Sequence, residues 1–290
     1  MSKRNSQEAK REARERLRIE REKQAKKDKL KRNLGIGVAA IAVLAIAGGI
    51  GVAVTNMGGS SDGDASDWDA AAKVADSTKA SGQYKGYETP AGTEGKDGTD
   101  LFLGDKDAKN TVTVYEDMRC PVCASFEQAN GEVIEKDIED GKYKAEFVFG
   151  TFLDKNPSIA GTGSKNALSA LGAAYNVSPE AFLEYKKLLY SAEHHPDESG
   201  PDKFGEDEHL IELAQDIKEL KGNKEFEDAV NNGTFDPWAV KMSQKFDDAK
   251  DVTGTPTVKV NGEKAGVGEQ QNAPMAPDQY NQVIDSKLKK

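Results

Sequence analysis

Residues 111–123 read Thr-Val-Thr-Val-Tyr-Glu-Asp-Met-Arg-Cys-Pro-Val-Cys, and the reading of this stretch decides the fold. Thr111 to Tyr115 is rich in β-branched side chains and follows a Lys109-Asn110 turn, so it predicts a buried strand. Beyond the cysteines, apolar residues recur at Phe126, Val133, Ile134 and Ile138. That spacing predicts a helix over residues 124–140, stopped by Gly141. Cys120-Pro121-Val122-Cys123 therefore lies where a strand gives way to a helix. The first turn of a helix has free backbone N–H groups and the positive end of the macrodipole, and both stabilise a thiolate at Cys120. Two intervening residues bring Cys123 within reach of Cys120 once that turn closes. Pro121 fixes φ at a position where its missing N–H costs nothing. Arg119 places a positive charge beside the first cysteine.

These are the only two cysteines in 290 residues, which excludes a disulfide-dense scaffold and a four-cysteine zinc or iron–sulfur site. Redox chemistry is the main reading. The alternatives are a zinc site completed by His194, His195 or His209, a pair of inert core thiols, and a purely structural disulfide. Closing so small a loop removes little chain entropy, which weighs against the last. His194 and His195 are adjacent, point in divergent directions and precede Pro196, so they read as a solvated loop. No metal or other cofactor is expected.

Working outward, residues 143–149 (YKAEFVF) predict a second strand, parallel to the first through a right-handed crossover. Residues 158–250 are helical in pattern throughout. Ser178-Pro179-Glu180 and Asp236-Pro237 mark helix starts, the latter after an Asn232-Gly233 stop. Strand character returns at Thr257 to Val260, followed by Asn261-Gly262, a strong hairpin-turn signal, and a second strand at 264–267. A closing helix is expected over 277–288. The layout is β-α-β, a helical insertion of roughly ninety residues, then β-β-α, with no internal repeat.

The N-terminal hundred residues differ in kind. The chain carries a net charge of −10 with 37% hydrophobic and 31% charged residues, an average that hides a split. Residues 1–33 hold 14 Lys/Arg against 6 Asp/Glu, leaving 26 against 44 in the remainder. This basic tail has no continuous apolar stripe. It reads as a solvated, partly helical segment suited to anionic lipid. Residues 34–55, LGIGVAAIAVLAIAGGIGVAVT, carry no charge and as a helix would span about 30 Å, a bilayer core. The segment exceeds the usual apolar region of a cleaved signal peptide, so a transmembrane anchor is expected. The basic side is then cytoplasmic and everything from Asn56 onward extracytoplasmic. Residues 56–100, rich in Gly, Ser, Asp, Ala and Thr, read as a flexible tether; Trp68 and the alanine-rich run 70–75 hint at a short helix. The acidic remainder argues against nucleic-acid binding.

CPVC after VTVYEDMR, an all-helical insertion, and then Val252-Thr-Gly-Thr-Pro-Thr-Val-Lys-Val-Asn-Gly262 together resemble the DsbA-like branch of the thioredoxin superfamily. The closest likeness is to the membrane-anchored versions of high-GC Gram-positive bacteria. The resemblance covers residues 101–290. It implies an α/β thioredoxin-like fold with a large helical insertion, preceded here by a single transmembrane helix and flexible linker. It also implies a cis peptide at Pro256 and a Thr255 backbone that pairs with an incoming substrate strand. The implied activity is thiol–disulfide exchange that introduces disulfides into exported proteins, with reoxidation by a quinone-linked membrane partner of the DsbB or vitamin-K-epoxide-reductase type. A reductase or isomerase of the same fold is the alternative. So is a client-binding chaperone module with an incidental CxxC. Two departures from the pattern matter. Many relatives carry a buried carboxylate six residues before the first cysteine, where this chain has Val114; Asp117 is expected to take the proton instead, ahead of Glu116. The strongest oxidases often have His before the second cysteine, where this chain has Val122, so a less extreme potential is expected.

Overall fold

The computed structural model describes residues 67–77, 86–157, 159 and 161–289. The basic tail, the apolar segment 34–55 and much of the expected tether lie outside the described residues. No helix among the described residues is long and apolar enough to cross a membrane.

Five strands form one sheet in the order β1-β3-β2-β4-β5: β1 (Leu101–Leu103), β2 (Thr111–Asp117), β3 (Lys144–Gly150), β4 (Thr257–Val260) and β5 (Glu263–Lys264). β2 is central, parallel to β3 and antiparallel to β4. The expected strand pairing is therefore present. β1, which sequence pattern alone did not reveal, adds an antiparallel edge to β3. The Asn261-Gly262 turn places both residues at positive φ, 51° and 86°, as a tight hairpin turn demands.

Side chains alternate across β2. Val112 and Val114 share a face with Phe147 of β3 through the register Val114↔Phe147. That face is covered by α2 (Pro121–Glu139) and α8 (Pro277–Lys287), where Phe126 meets Tyr280. The other face carries Tyr115, packed edge-on against Phe246 of α7 (Asp236–Asp248).

The insertion consists of α3 (Gly163–Val177), α4 (Pro179–Leu189), α5 (Asp207–Ala214), α6 (Lys224–Asn231) and α7, with short 3-10 turns at Leu153–Lys155 and Lys203–Gly205. α4 starts as its sequence requires, with Ser178 Oγ accepting from Ala181 N at 2.9 Å and Pro179 in the first turn. Phe182 of α4 reaches back to Phe147 and Phe149, so insertion and sheet share one core.

The expected boundary at residue 101 is corrected by the structure. α1 (Trp68–Ser77) buries Ala71 and Ala75, packs Trp68 against the core and accepts a bond from Gln244 of α7 at Asp76 (3.1 Å). Residues 86–100 are likewise fixed: Glu94 and Asp100 form a β-bridge, and Trp238 Nε1 donates to the Gly98 carbonyl at 2.7 Å. Small alanines carry little hydrophobic signal, yet they let two helices approach closely, so a stretch that reads as tether folds onto the domain. Asp67, which caps the Ala70 N–H at 2.9 Å, adds a start signal to the short helix hinted at by Trp68 and the alanine-rich run.

Candidate active site at the strand–helix junction

Cys120 is the N-cap of α2, with extended backbone angles (φ −75°, ψ 115°), and Pro121 takes the first helical position. Its Sγ accepts from the Cys123 N–H at 3.4 Å and lies 3.8 Å from the Thr255 carbonyl, to which a thiol donates. The Thr255-Pro256 peptide is cis. Thus the two sequence motifs, 132 residues apart from Cys123 to Thr255, meet at one sulfur. Neither cysteine is bridged. Cys120 is brought down to about pKa 6, chiefly by the Cys123 thiol, then by the Thr255 side chain and the Cys123 and Val122 N–H groups, all against the opposing effect of burial. Thr255 Oγ1 is buried without another partner, so it is available to the sulfurs. Cys123 is fully buried, and its pKa is pushed well above the ordinary thiol value by burial, by Cys120 and by Glu116. The pair is therefore asymmetric, with an ionisable outer sulfur and a protonated inner one. Val122 between them is exposed.

Asp117 is not placed to take a proton from Cys123. Alternation puts it on the opposite face of β2 from Val114 and Glu116. There its Oδ1 accepts from Arg119 N (3.0 Å) and Ser164 Oγ (2.6 Å), and its Oδ2 from Leu153 N (3.2 Å). Burial raises it to about pKa 7 against those three donors. Asp117 joins the end of β2 to the first turn of α3 and to the 153–155 turn, a structural tie rather than a proton acceptor.

Glu116 occupies the position expected of Asp117. It is fully buried, and it is the carboxylate whose charge raises Cys123. Lys186 of α4 lies between it and Glu127 of α2, with Nζ 3.4 Å from Glu116 Oε2 and 2.6 Å from Glu127 Oε2. The same ammonium sits over the Phe147 ring at 4.5 Å. Burial and then Glu127 hold Glu116 well above the carboxylate range, outweighing Lys186. Burial opposes the Lys186 charge, but the two acids overcome it and hold its pKa above the ordinary value. The result is a Glu116 carboxyl of raised proton affinity and an ammonium held beside it and Glu127.

Arg119 does not lend its charge to Cys120. Its guanidinium pairs with Asp154 (3.2 Å) and Asp202 (3.2 Å) and donates to the Ile159 carbonyl at 2.8 Å. A Cβ at Gly163 would collide with the Asp202 carboxylate in this cluster. The expected solvated loop at His194-His195 is also corrected, because both ring nitrogens of His195 are buried. Tyr190, at the end of α4, donates to the Asp117 carbonyl at 3.1 Å. No group of three or more His, Cys, Asp or Glu among the described residues is placed to hold a metal ion.

Lys186 and Glu127 were missed in the sequence and Glu116 was ranked behind Asp117, though each left a trace. Lys186 falls on the apolar face of α4, four residues after Phe182 and three before Leu189. Glu127 is one turn beyond Cys123, and Glu116 shares the inward parity of Val112 and Val114.

Residues 96–286 match the family model described as Thioredoxin. Among solved structures, the disulfide bond oxidoreductase DsbG of Mycobacterium tuberculosis in its reduced form is 25% identical, with 67% of this chain and 89% of that chain covered and a TM-score of 0.53. BdbD of Bacillus subtilis is 24% identical (70% and 100% covered, TM-score 0.52). The thiol–disulfide oxidoreductase MdbA of Actinomyces oris is 18% identical (71% and 93% covered, TM-score 0.55). No curated protein sequence matches. The chain belongs to the thioredoxin family. Its fold is that of the DsbA- and MdbA-type thiol–disulfide oxidoreductases.

Proposed function

We propose that this protein is a membrane-anchored, extracytoplasmic thiol–disulfide oxidase acting on reduced exported proteins. The observation that carries this reading is the asymmetric cysteine pair: a Cys120 thiolate favoured at the helix N-cap and against Thr255, beside a buried Cys123 that favours its proton. Stabilising the thiolate stabilises the reduced form, which makes the disulfide the better oxidant.

In the oxidised enzyme a substrate thiolate attacks Cys120 Sγ. The Cys120–Cys123 bond breaks, a mixed disulfide forms, and Cys123 leaves with the electron pair. Its burial favours the thiol, and the Glu116 carboxyl, whose proton affinity burial raises, supplies the proton; Lys186 then stabilises the carboxylate left behind. A second substrate thiolate attacks the substrate sulfur of the mixed disulfide, and Cys120 departs as the thiolate that its N-cap stabilises. The substrate is oxidised by two electrons and CPVC reduced by two. Pro256 and the Thr255 backbone, beside Cys120, are the surface for the incoming chain, and the exposed Val122 borders it. Reoxidation falls to a quinone-linked membrane partner of the DsbB or vitamin-K-epoxide-reductase type. The apolar segment 34–55 after a basic tail supports the anchored location, with the N-terminus cytoplasmic.

A glutathione equilibrium titration tests the direction. An oxidising potential, less extreme than that of oxidases with His at the Val122 position, is expected; a strongly reducing, thioredoxin-like value overturns the oxidase reading. Cys120→Ser abolishes exchange if the nucleophile is assigned correctly, and iodoacetamide alkylation of Cys120 titrates with a midpoint near pH 6.

A further inference from the structure

The turn between β2 and α2 is held by a side chain that the exchange reaction leaves unused. Arg119, directly before the nucleophile, is only 4% exposed. Its Nη1 donates to Asp154 Oδ1 at 3.2 Å and its Nη2 to the Ile159 carbonyl at 2.8 Å, while its Nε forms an ion pair with Asp202 Oδ1 at 3.2 Å. Each carboxylate has a second task. Thr162, at the N-cap of α3, makes no side-chain cap bond. Asp154 instead accepts from Ser164 N (2.9 Å) and Lys165 N (3.0 Å), and Asp202 Oδ2 from Thr162 N (2.8 Å) and Gly163 N (2.9 Å). The backbone donors that a helix start leaves unpaired are thus taken up by two carboxylates, and one guanidinium pairs with both.

Glycine keeps the room for this pairing. A Cβ on Gly163 would overlap Asp202 Oδ1 and come within 3.1 Å of Arg119 Cδ, and one on Gly161 would overlap Asp202 Oδ2 and come within 3.1 Å of Arg119 Nη1. Neither glycine has a positive φ, so the constraint is space and not backbone conformation. The main chain of the same turn is tied as well. Arg119 N donates to Asp117 Oδ1 at 3.0 Å, and the Asp117 carbonyl accepts the Cys120 N–H at 2.9 Å and the Tyr190 hydroxyl at 3.1 Å. Backbone and side chain are therefore both fixed immediately before the residue whose sulfur meets the Cys123 N–H at 3.4 Å and the Thr255 carbonyl at 3.8 Å. Those two contacts are long, so a small displacement of the turn weakens them.

We propose that Arg119 is a positioning residue for the nucleophile: its guanidinium clamps the turn that delivers Cys120 onto the start of α3, and so sets the distance from Cys120 Sγ to the Cys123 N–H that stabilises the thiolate. Its charge is matched by Asp154 and Asp202, so it acts through geometry and not through its field at the sulfur. A planar guanidinium presents its donors in a rigid fork, which an ammonium on a flexible stem does not reproduce. The inference rests on the exchange role of CPVC and adds no bond-making or proton-transfer step to it.

The test uses the full-length protein in detergent micelles. Its readouts are the pH midpoint of Cys120 alkylation by iodoacetamide, the glutathione equilibrium constant, and urea unfolding. Arg119→Lys keeps the positive charge but cannot meet three acceptors in one plane. It is expected to raise the alkylation midpoint by about half a unit or more, roughly a threefold loss of thiolate below the midpoint, and to move the glutathione equilibrium toward the disulfide by a similar factor. Arg119→Met is expected to move both at least as far. Gly163→Ala leaves Arg119 in place and pushes Asp202 aside, and is expected to move both in the same direction by less. A purely structural role lowers the unfolding midpoint and leaves the two thiol readouts at their wild-type values, which overturns the proposal. So does an R119K midpoint that superimposes on wild type while R119M is shifted, because charge alone then suffices, or a G163A midpoint at the wild-type value. If R119M and G163A do not fold, R119K alone decides. Failure of the wild-type protein to oxidise a reduced peptide overturns the exchange reading instead, and is scored separately because the alkylation midpoint requires only the free thiols.

Discussion

The thioredoxin-like core and the helical insertion contribute to the same site in different ways. The core supplies the atoms that react: Cys120 and Cys123 at the start of α2, and Thr255-Pro256 before β4. The insertion supplies what surrounds them. Lys186 comes from α4, Ser164 from α3, Tyr190 from the end of α4, and His195 and Asp202 from the loop that follows it. The core's contribution is local and repeats two motifs. The insertion's contribution is assembled from single polar residues on otherwise apolar helices. Chemistry is therefore fixed by the core, while proton affinity and the placement of the nucleophile are fixed across the boundary.

Adjacent lysines on α4 give the sharpest way to break this division. Lys186→Met leaves Glu116 and Glu127 buried without their cation, and removing one partner of a buried pair costs about 3–5 kcal/mol. Urea unfolding is expected to show that loss, and Glu127→Gln in the same protein to recover part of it. Next in size is the pH dependence set by Asp117. Folded, it holds its proton up to about pH 7, against 3.8 for an ordinary aspartate. Folding thus takes up a proton between those values, so stability falls as pH rises through that window. That shift, already net of its three donors, corresponds to a change on the order of 4 kcal/mol, measurable by unfolding at several pH values and flattened in Asp117→Asn. Tyr190→Phe removes one bond from the insertion to the core and is expected to cost about 1 kcal/mol. Lys187→Ala removes the pair with Glu132 that crosses the same boundary at 3.3 Å, with the two side chains 52% and 85% exposed. Its effect is expected to stay under about 0.5 kcal/mol. Equal effects at Lys186 and Lys187 would dissolve the distinction between buried and solvent-facing crossings.

The pattern of legibility follows the same division. β2, α2, the Ser178-Pro179 and Asp236-Pro237 helix starts and the Asn261-Gly262 turn depend on neighbours within a few residues, and periodicity and capping reveal them. The Glu116–Glu127–Lys186 cluster joins residues up to 70 positions apart. A periodic pattern shows that Lys186 points inward, but not what it meets. Asp117 and Glu116 illustrate the limit from the other side: adjacent acids, separated only by strand parity, meet different partners, Ser164 and the 153–155 turn for one and Lys186 for the other. Arg119 was assigned to the nearest anion in sequence, whereas the fold offers it Asp154 and Asp202.

The docking of α1 changes the reach of the molecule. Trp68 opens that helix beneath the Lys165 ammonium, 5.2 Å from its ring, in the same first turn of α3 whose Ser164 holds Asp117. With the proposed anchor ending at residue 55, only residues 56–67 separate the bilayer from the folded domain. Fully extended, they span no more than about 40 Å. In the proposed anchored protein, a leash of that length holds CPVC in a shallow layer over the membrane, within reach of a partner embedded in the same bilayer.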